Sequence, residues 1–292
     1  MTSKNENINI EKLRSYSSVF SSVAFNRLLI ADDFDFINLK IERYDIAKVG
    51  VTIFSYFDYL KYIYLELTKQ HRTEYIYKNE FINEILLKKY GVKNTVAINE
   101  FRVGNSIADI ALFNGTSKVF EIKTELDSKQ RLNSQLLDYK KVFNEAFVIT
   151  HESLVDKYLN NTDDIGIIIM KSISGGLKME EIRKPQKNES IDSDTLIKLL
   201  RNSEYKNMII KHFGALPNAN NFTMFEECRK LFKEIPEHNL HSLFVGEMKA
   251  RKTNTTNMNF FLLEIRQLCL SMHLNQLNYN KLIEKLNNKI IL

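Results

Sequence analysis

The chain has 292 residues, 44% hydrophobic and 26% charged, the balance of a folded protein with room for one large domain or two small ones. Nine glycines and three prolines exclude collagen-like and proline-rich disordered readings and imply long helices. Two cysteines, Cys228 and Cys269, cannot build a disulfide framework or a four-cysteine zinc site, and no apolar run approaches the ~18–20 residues of a membrane span. With a polar, charged start that does not read as a secretory signal, the expectation is a cytoplasmic protein that does not enter the membrane. The net charge of +5 is uneven: +1 over residues 1–72, zero over 73–185 and +4 over 186–292.

In chain order, residues 10–30 and 52–70 carry apolar residues at helical spacing, Leu13, Tyr16, Val19, Phe20 and Val23, then Phe54, Phe57, Leu60, Ile63 and Leu67. Ala31–Asp35 supplies breaker and cap chemistry between them. A third helix over about 73–90 ends at Tyr90-Gly91, where glycine suits the left-handed position past a helix end. The period then changes to two. Three antiparallel strands are expected through Val96–Val103, Ile107–Phe113 and Lys118–Thr124, with Asn114-Gly115 as a two-residue hairpin turn between the last two. A helix at about 130–145, a strand at Ala146–Thr150, a short helix near 152–160, a buried strand at Ile165–Met170 and an edge strand at Leu177–Ile182 follow. Pro185–Ser190 reads as a linker, and everything after about 192 as helical segments. The fold class is α/β, with an α-β-β-β-α-β core between helical extensions.

The chemistry concentrates in Asp109 and Glu121-Ile122-Lys123. Asp109 interrupts an apolar strand, and Glu121 and Lys123, two apart on the next strand, share a face. The hairpin can bring Asp109 beside Glu121. Two carboxylates and an ammonium on one sheet face suit a hard divalent cation, which takes oxygen ligands and keeps several waters. An exposed, charged strand face is the other reading of the same residues, since Glu-x-Lys is a common tripeptide.

Asp109…Glu121-Ile122-Lys123, with a helix before it and a glutamine-bearing helix after it, resembles the PD-(D/E)XK nuclease superfamily. More narrowly, Thr73–Asn79, Glu100–Gly104, Ala108–Ile110, Asn114-Gly115, Glu121–Lys123 and Arg131–Gln135…Asp138-Tyr139 are similar to the bacterial sce7726 family, which is placed in that superfamily. Ala108 stands where the superfamily motif has proline. The resemblance implies a PD-(D/E)XK restriction-endonuclease-like core, with Asp109 and Glu121 binding Mg²⁺ or Mn²⁺ and Lys123 orienting the attacking water. It also implies an acid from the first core helix, for which Glu74 is the choice and Glu80 and Glu84 the fallbacks. Gln135 is expected to point at the site, with Tyr139 one turn further on the same helix face and Glu100 on the preceding strand as supporting residues.

The division expected is 1–72 as an N-terminal helical segment packed on the core, 73–185 as the nuclease-like core and 186–292 as a C-terminal helical region. The expected activity is metal-dependent hydrolysis of nucleic acid, DNA rather than RNA. The alternatives are a catalytically silent module of the same fold that binds nucleic acid or a partner protein, and an RNA-cleaving effector. The basic cluster Lys249, Arg251 and Lys252 is a candidate for phosphate contacts beyond the site or a solvated helix end. The C-terminal helices are candidates for self-association or for holding a partner. His238 and His241, three apart, read as ordinary surface histidines.

Overall fold

The computed structural model describes residues 2–125, 131–159 and 164–292. They form a mixed α/β protein whose six strands make one sheet in chain order, β1 (Val96–Val103), β2 (Ser106–Asn114), β3 (Thr116–Lys123), β4 (Glu145–His151), β5 (Gly166–Ile173) and β6 (Gly176–Arg183). The helices are α1 (Thr2–Ser17), α2 (Ser22–Ala31), α3 (Asp35–Lys40), α4 (Tyr56–Gln70), α5 (Glu74–Glu80), α6 (Leu132–Lys140), α7 (Val155–Leu159), α8 (Ser193–Leu199), α9 (Asn202–Phe213), α10 (Met224–Phe232), α11 (Glu237–Ala250), α12 (Arg266–Ser271) and α13 (Gln276–Leu286). Among the described residues no helix is long and apolar enough to cross a membrane. The chain divides into two compact units, one holding the described residues through Val92 with Met170–Met179 and Asn254–Leu292, the other those of Lys93–Ile169 and Glu180–Thr253.

In the first unit, caps decide where helices begin. The spacing predicts one helical face running through Val23, but Ser21 accepts the Ala24 N–H and restarts the helix as α2, which leaves Val23 exposed. Ser55 and Asp58 likewise cap each other at the start of α4, so Phe54 falls outside the helix and is exposed. The buried stripe of α4 is instead Tyr56, Tyr59, Leu60, Ile63, Tyr64 and Leu67. The helix expected to 90 does run there, but beyond Glu80 it widens into π-type turns over Phe81–Tyr90 before Gly91 ends it at a φ of +70°. Polar residues of α5 and the π segment hold the chain near α12. Asn79 donates to the Leu263 carbonyl and accepts the Gln267 N–H, while Asn83 accepts from Arg266.

In the second unit, β1, β2 and β3 are antiparallel, and β4 runs parallel to β3. A parallel neighbour needs a crossover longer than a hairpin, and α6 supplies it. α6 packs on β2 and β4, and α11 on β2 and β3. Phe101, Phe113, Phe143 and Phe244 meet edge-on or tilted in the core so formed. The opposite face carries Ile110, Leu112, Phe120, Phe147 and Ile149, also buried, so these strands read as nearly unbroken apolar runs.

The segment expected to be a linker is a fixed part of this unit. Asn188 donates from its side chain to the carbonyls of Lys140 and Phe143, and its N–H reaches Asn144. Asparagine satisfies backbone groups that a flexible linker would leave to water. The helical segments after it also divide: α8–α11 belong to the second unit, α12 and α13 to the first.

Candidate active site

The β2–β3 turn sets the geometry. The two-residue turn expected from Asn114-Gly115 would pair Phe113 with Thr116 and place Asp109 and Glu121 on opposite faces, because a one-residue slip reverses every side chain. The structure pairs Phe113 with Ser117 and Asn114 with Thr116, with Gly115 at a φ of +72°. That is a three-residue turn with glycine in the left-handed position, where any other residue is strained. The register continues through Ile110 opposite Phe120, which sets Asp109 across from Glu121 on the face covered by α6. The Ile122 N–H donates to Asp109 Oδ2 at 2.7 Å.

Glu121 and Lys123 are buried, and their charges are paired. Lys123 Nζ donates to Glu121 Oε1 at 2.8 Å and to Gln135 Oε1 at 3.1 Å. Gln135 Nε2 returns a bond to Glu121 Oε1 at 2.7 Å, and Tyr139 Oη donates to Oε2 at 2.7 Å. Gln135 and Tyr139 are four apart on α6, so one helix face grips both carboxylate oxygens. Burial, with the Glu121 charge beside it, raises the Tyr139 hydroxyl far above its ordinary range and keeps it a donor. At the end of β3, Thr150 on the parallel strand β4 donates to the Lys123 carbonyl at 2.8 Å and fixes the backbone beneath the lysine.

The structure therefore brings Asp109, Glu121, Lys123, Gln135 and Tyr139 together. Glu100 stands on β1 between the pairs Asn99–Ile110 and Phe101–Ala108, in register with Asp109. It is exposed, forms no ion pair with Arg102, and holds a φ of +53°. A left-handed conformation costs a non-glycine residue about 1–2 kcal/mol. The helix acids belong to the first unit. Glu74 is ion-paired with Lys78, and Glu84 with Lys88. Glu80 is buried and accepts from Tyr64 and Asn83; burial raises its pKa, and those two bonds pull against the rise.

The basic cluster splits. Lys249 and Lys252 are exposed. Arg251 is not available to a phosphate, because Nε and Nη2 each donate at 2.8 Å to the Glu204 carboxylate, with the guanidinium near the Phe101 ring. Nothing in the Lys-Ala-Arg-Lys run signals this; the partner lies 47 residues away. His238 is exposed as expected, but His241 is buried, and its Nε2 meets the Glu189 carbonyl at 3.1 Å.

Two carboxylates across a hairpin suit Mg²⁺ or Mn²⁺, which are commonly held by one or two carboxylates and otherwise by water. Each carboxylate oxygen has two lone pairs, so Glu121 Oε2, with Tyr139 as its described donor, keeps acceptor capacity. Among the described residues no group of three or more His, Cys, Asp or Glu side chains is placed to hold a metal ion.

Fold and site together define a mixed α/β protein with an acid–lysine cluster on one face of its sheet, Glu121 and Lys123 buried and Asp109 half-buried. The family model for bacteriophage P4 protein cII matches residues 68–278, and the chain belongs to that family. It is 24% identical over 178 residues to protein cII of Enterobacteria phage P4, a match that spans 60% of this chain and 66% of that protein. Among solved structures it is similar to the SPO1766 protein of unknown function from Silicibacter pomeroyi, with a TM-score of 0.32 and 12% identity over 50% of this chain and 94% of that one. Membership of the cII family neither supports nor excludes the resemblance to the sce7726 family, and the nuclease reading rests on the site itself.

Proposed function

We propose that the chain is a metal-dependent nuclease with a PD-(D/E)XK-like core within residues 73–185, hydrolysing phosphodiester bonds of nucleic acid, DNA rather than RNA, in the cytoplasm. The observation that carries this reading is the placement of Asp109 and Glu121 across one hairpin with Lys123 on the same face. The chain order of α5, three antiparallel strands, α6 and a strand parallel to the third supports it.

Asp109 and Glu121 would hold Mg²⁺ or Mn²⁺. When bound, the ion polarises a phosphodiester and lowers the pKa of water. Lys123 has three donors, of which two bind Glu121 and Gln135, so one is left to hold a water against phosphorus or to meet charge developing on a phosphate oxygen. Gln135 ties the lysine to the glutamate, and Tyr139 fixes the other carboxylate oxygen, so that the acid keeps its orientation.

One observation favours the silent binding module: Glu121 already accepts three bonds from its own chain. Titration with Mn²⁺, followed by calorimetry or electron paramagnetic resonance, separates the two. The nuclease reading expects the wild type to bind Mn²⁺ and Asp109→Ala or Glu121→Gln to weaken it at least about tenfold. No binding by the wild type, or equal binding by all three proteins, overturns it.

A further inference from the structure

A groove of about 670 Å³ opens beside the site, and Gln135 lines it. One wall is the turn between β1 and β2; the other is α6 with Arg131 at its start. Asp138 locks the two walls together. Its Oδ2 accepts from Ser106 Oγ and its Oδ1 from Lys141 Nζ, both at 2.8 Å. Gly104 lets the turn come this close: its φ is +57°, and a Cβ there would lie 3.3 Å from Asp138 Oδ1. Burial pushes the Asp138 carboxyl upward, but Lys141 and Ser106 outweigh it and hold the group below the usual carboxylate range.

The lining is chemically divided. Lys141 is balanced by Asp138, whereas Arg131 is exposed and has no ion-pair partner among the described residues. Each wall also offers water a large aliphatic side chain, Ile107 at 44% exposure from the start of β2 and Leu137 at 63% from α6. An exposed guanidinium in a groove that also offers one aliphatic side chain from each wall matches one nucleotide of a strand, anionic at its phosphate and flat and apolar on its base face. A duplex would present its phosphates to Arg131 but keep its bases stacked inside, leaving Ile107 and Leu137 facing water. The geometry points to an unpaired nucleic-acid strand as the occupant of this groove. Arg131 meets a phosphate flanking the one at Lys123, and Ile107 and Leu137 cover the adjoining base.

The inference deepens the nuclease reading, since it takes the strand to run on from that site, but its test needs no cleavage. Fluorescence anisotropy of the full chain in EDTA compares a labelled single strand of about twelve nucleotides with the same sequence as a duplex. The single strand is expected to bind at least about tenfold more tightly, and Arg131→Glu or Leu137→Glu to weaken it about tenfold or more. Lys281→Glu, an equal change of charge on the exposed side of α13, is expected to have less than about a twofold effect. Duplex binding as tight as single-strand binding, or Arg131→Glu no worse than Lys281→Glu, overturns the assignment. Both outcomes can be told from a failure of the nuclease reading. If the groove variants bind as expected but Mn²⁺ gives no cleavage, the groove stands and the nuclease falls. Cleavage that ignores the groove variants has the reverse meaning.

Discussion

Asp109 faces Glu121 across β2 and β3 because three residues, and not two, make the turn that joins the strands, and Gly115 carries its left-handed position. Nothing lies within 4 Å of a Cβ built on Gly115, so conformational strain is the whole cost of replacing it. Gly115→Val is expected to destabilise the protein by about 1–2 kcal/mol in urea unfolding. A Gly115→Val protein as stable as the wild type would show that the turn does not depend on that conformation.

The hydroxyl of Tyr139 supplies the one described donor to Glu121 Oε2. Tyr139→Phe leaves that buried oxygen short of a partner and is expected to cost about 1–3 kcal/mol, measured by the same unfolding curves. If Glu121 binds a metal through this oxygen, Mn²⁺ should restore more stability to the variant than to the wild type.

Arg251 and its neighbours should behave oppositely. Arg251→Ala leaves Glu204 buried without its guanidinium and is expected to cost about 3 kcal/mol. Lys249→Ala and Lys252→Ala should change stability by no more than about 0.5 kcal/mol. Burial raises the Glu204 pKa, but Arg251 and the Arg201 N–H outweigh it, so the folded value lies below the unfolded one. The stability this contributes is present above the unfolded pKa and is lost as pH falls through the folded value. An acid titration of stability should therefore be shallower in Arg251→Ala than in the wild type.

Burial lowers the His241 pKa below its ordinary 6.5, and the backbone carbonyls of Glu189 and Ser190 partly offset the shift. The unfolded chain then takes up the proton first, so stability falls as pH drops below the unfolded pKa toward the folded value. His241→Gln should flatten the loss of stability between about pH 7 and 5. An unchanged slope would place that loss on other groups.

Much of the sheet was legible because its strands alternate or run apolar and its turns carry glycine. Asp109 and Glu121-Ile122-Lys123 stood out because charges in apolar strands need partners. The register did not show: Asn114-Gly115 suits a two-residue turn, and only the pairing of Phe113 with Ser117 reveals the three-residue one. Cap positions hid the helix phases in the same way, since Ser21 and Ser55 moved Val23 and Phe54 out of the core. Arg251 and Asp138 lay beyond local reading altogether, because their partners, Glu204 and Ser106, come from distant segments. Asp138 and Tyr139 sit side by side in one motif, yet one clamps a turn and the other grips Glu121.

The proposed chemistry is cleavage of phosphodiester bonds by Asp109, Glu121 and Lys123 with a divalent metal. Its most direct test is a gel assay of the purified chain on double-stranded and single-stranded DNA with Mn²⁺, with EDTA, and with Asp109→Ala and Lys123→Ala in place of the wild type. Cleavage by the wild type is expected, stopped by EDTA and reduced at least about a hundredfold by each substitution. Intact DNA with the wild type in Mn²⁺, or cleavage that survives Asp109→Ala, would contradict it.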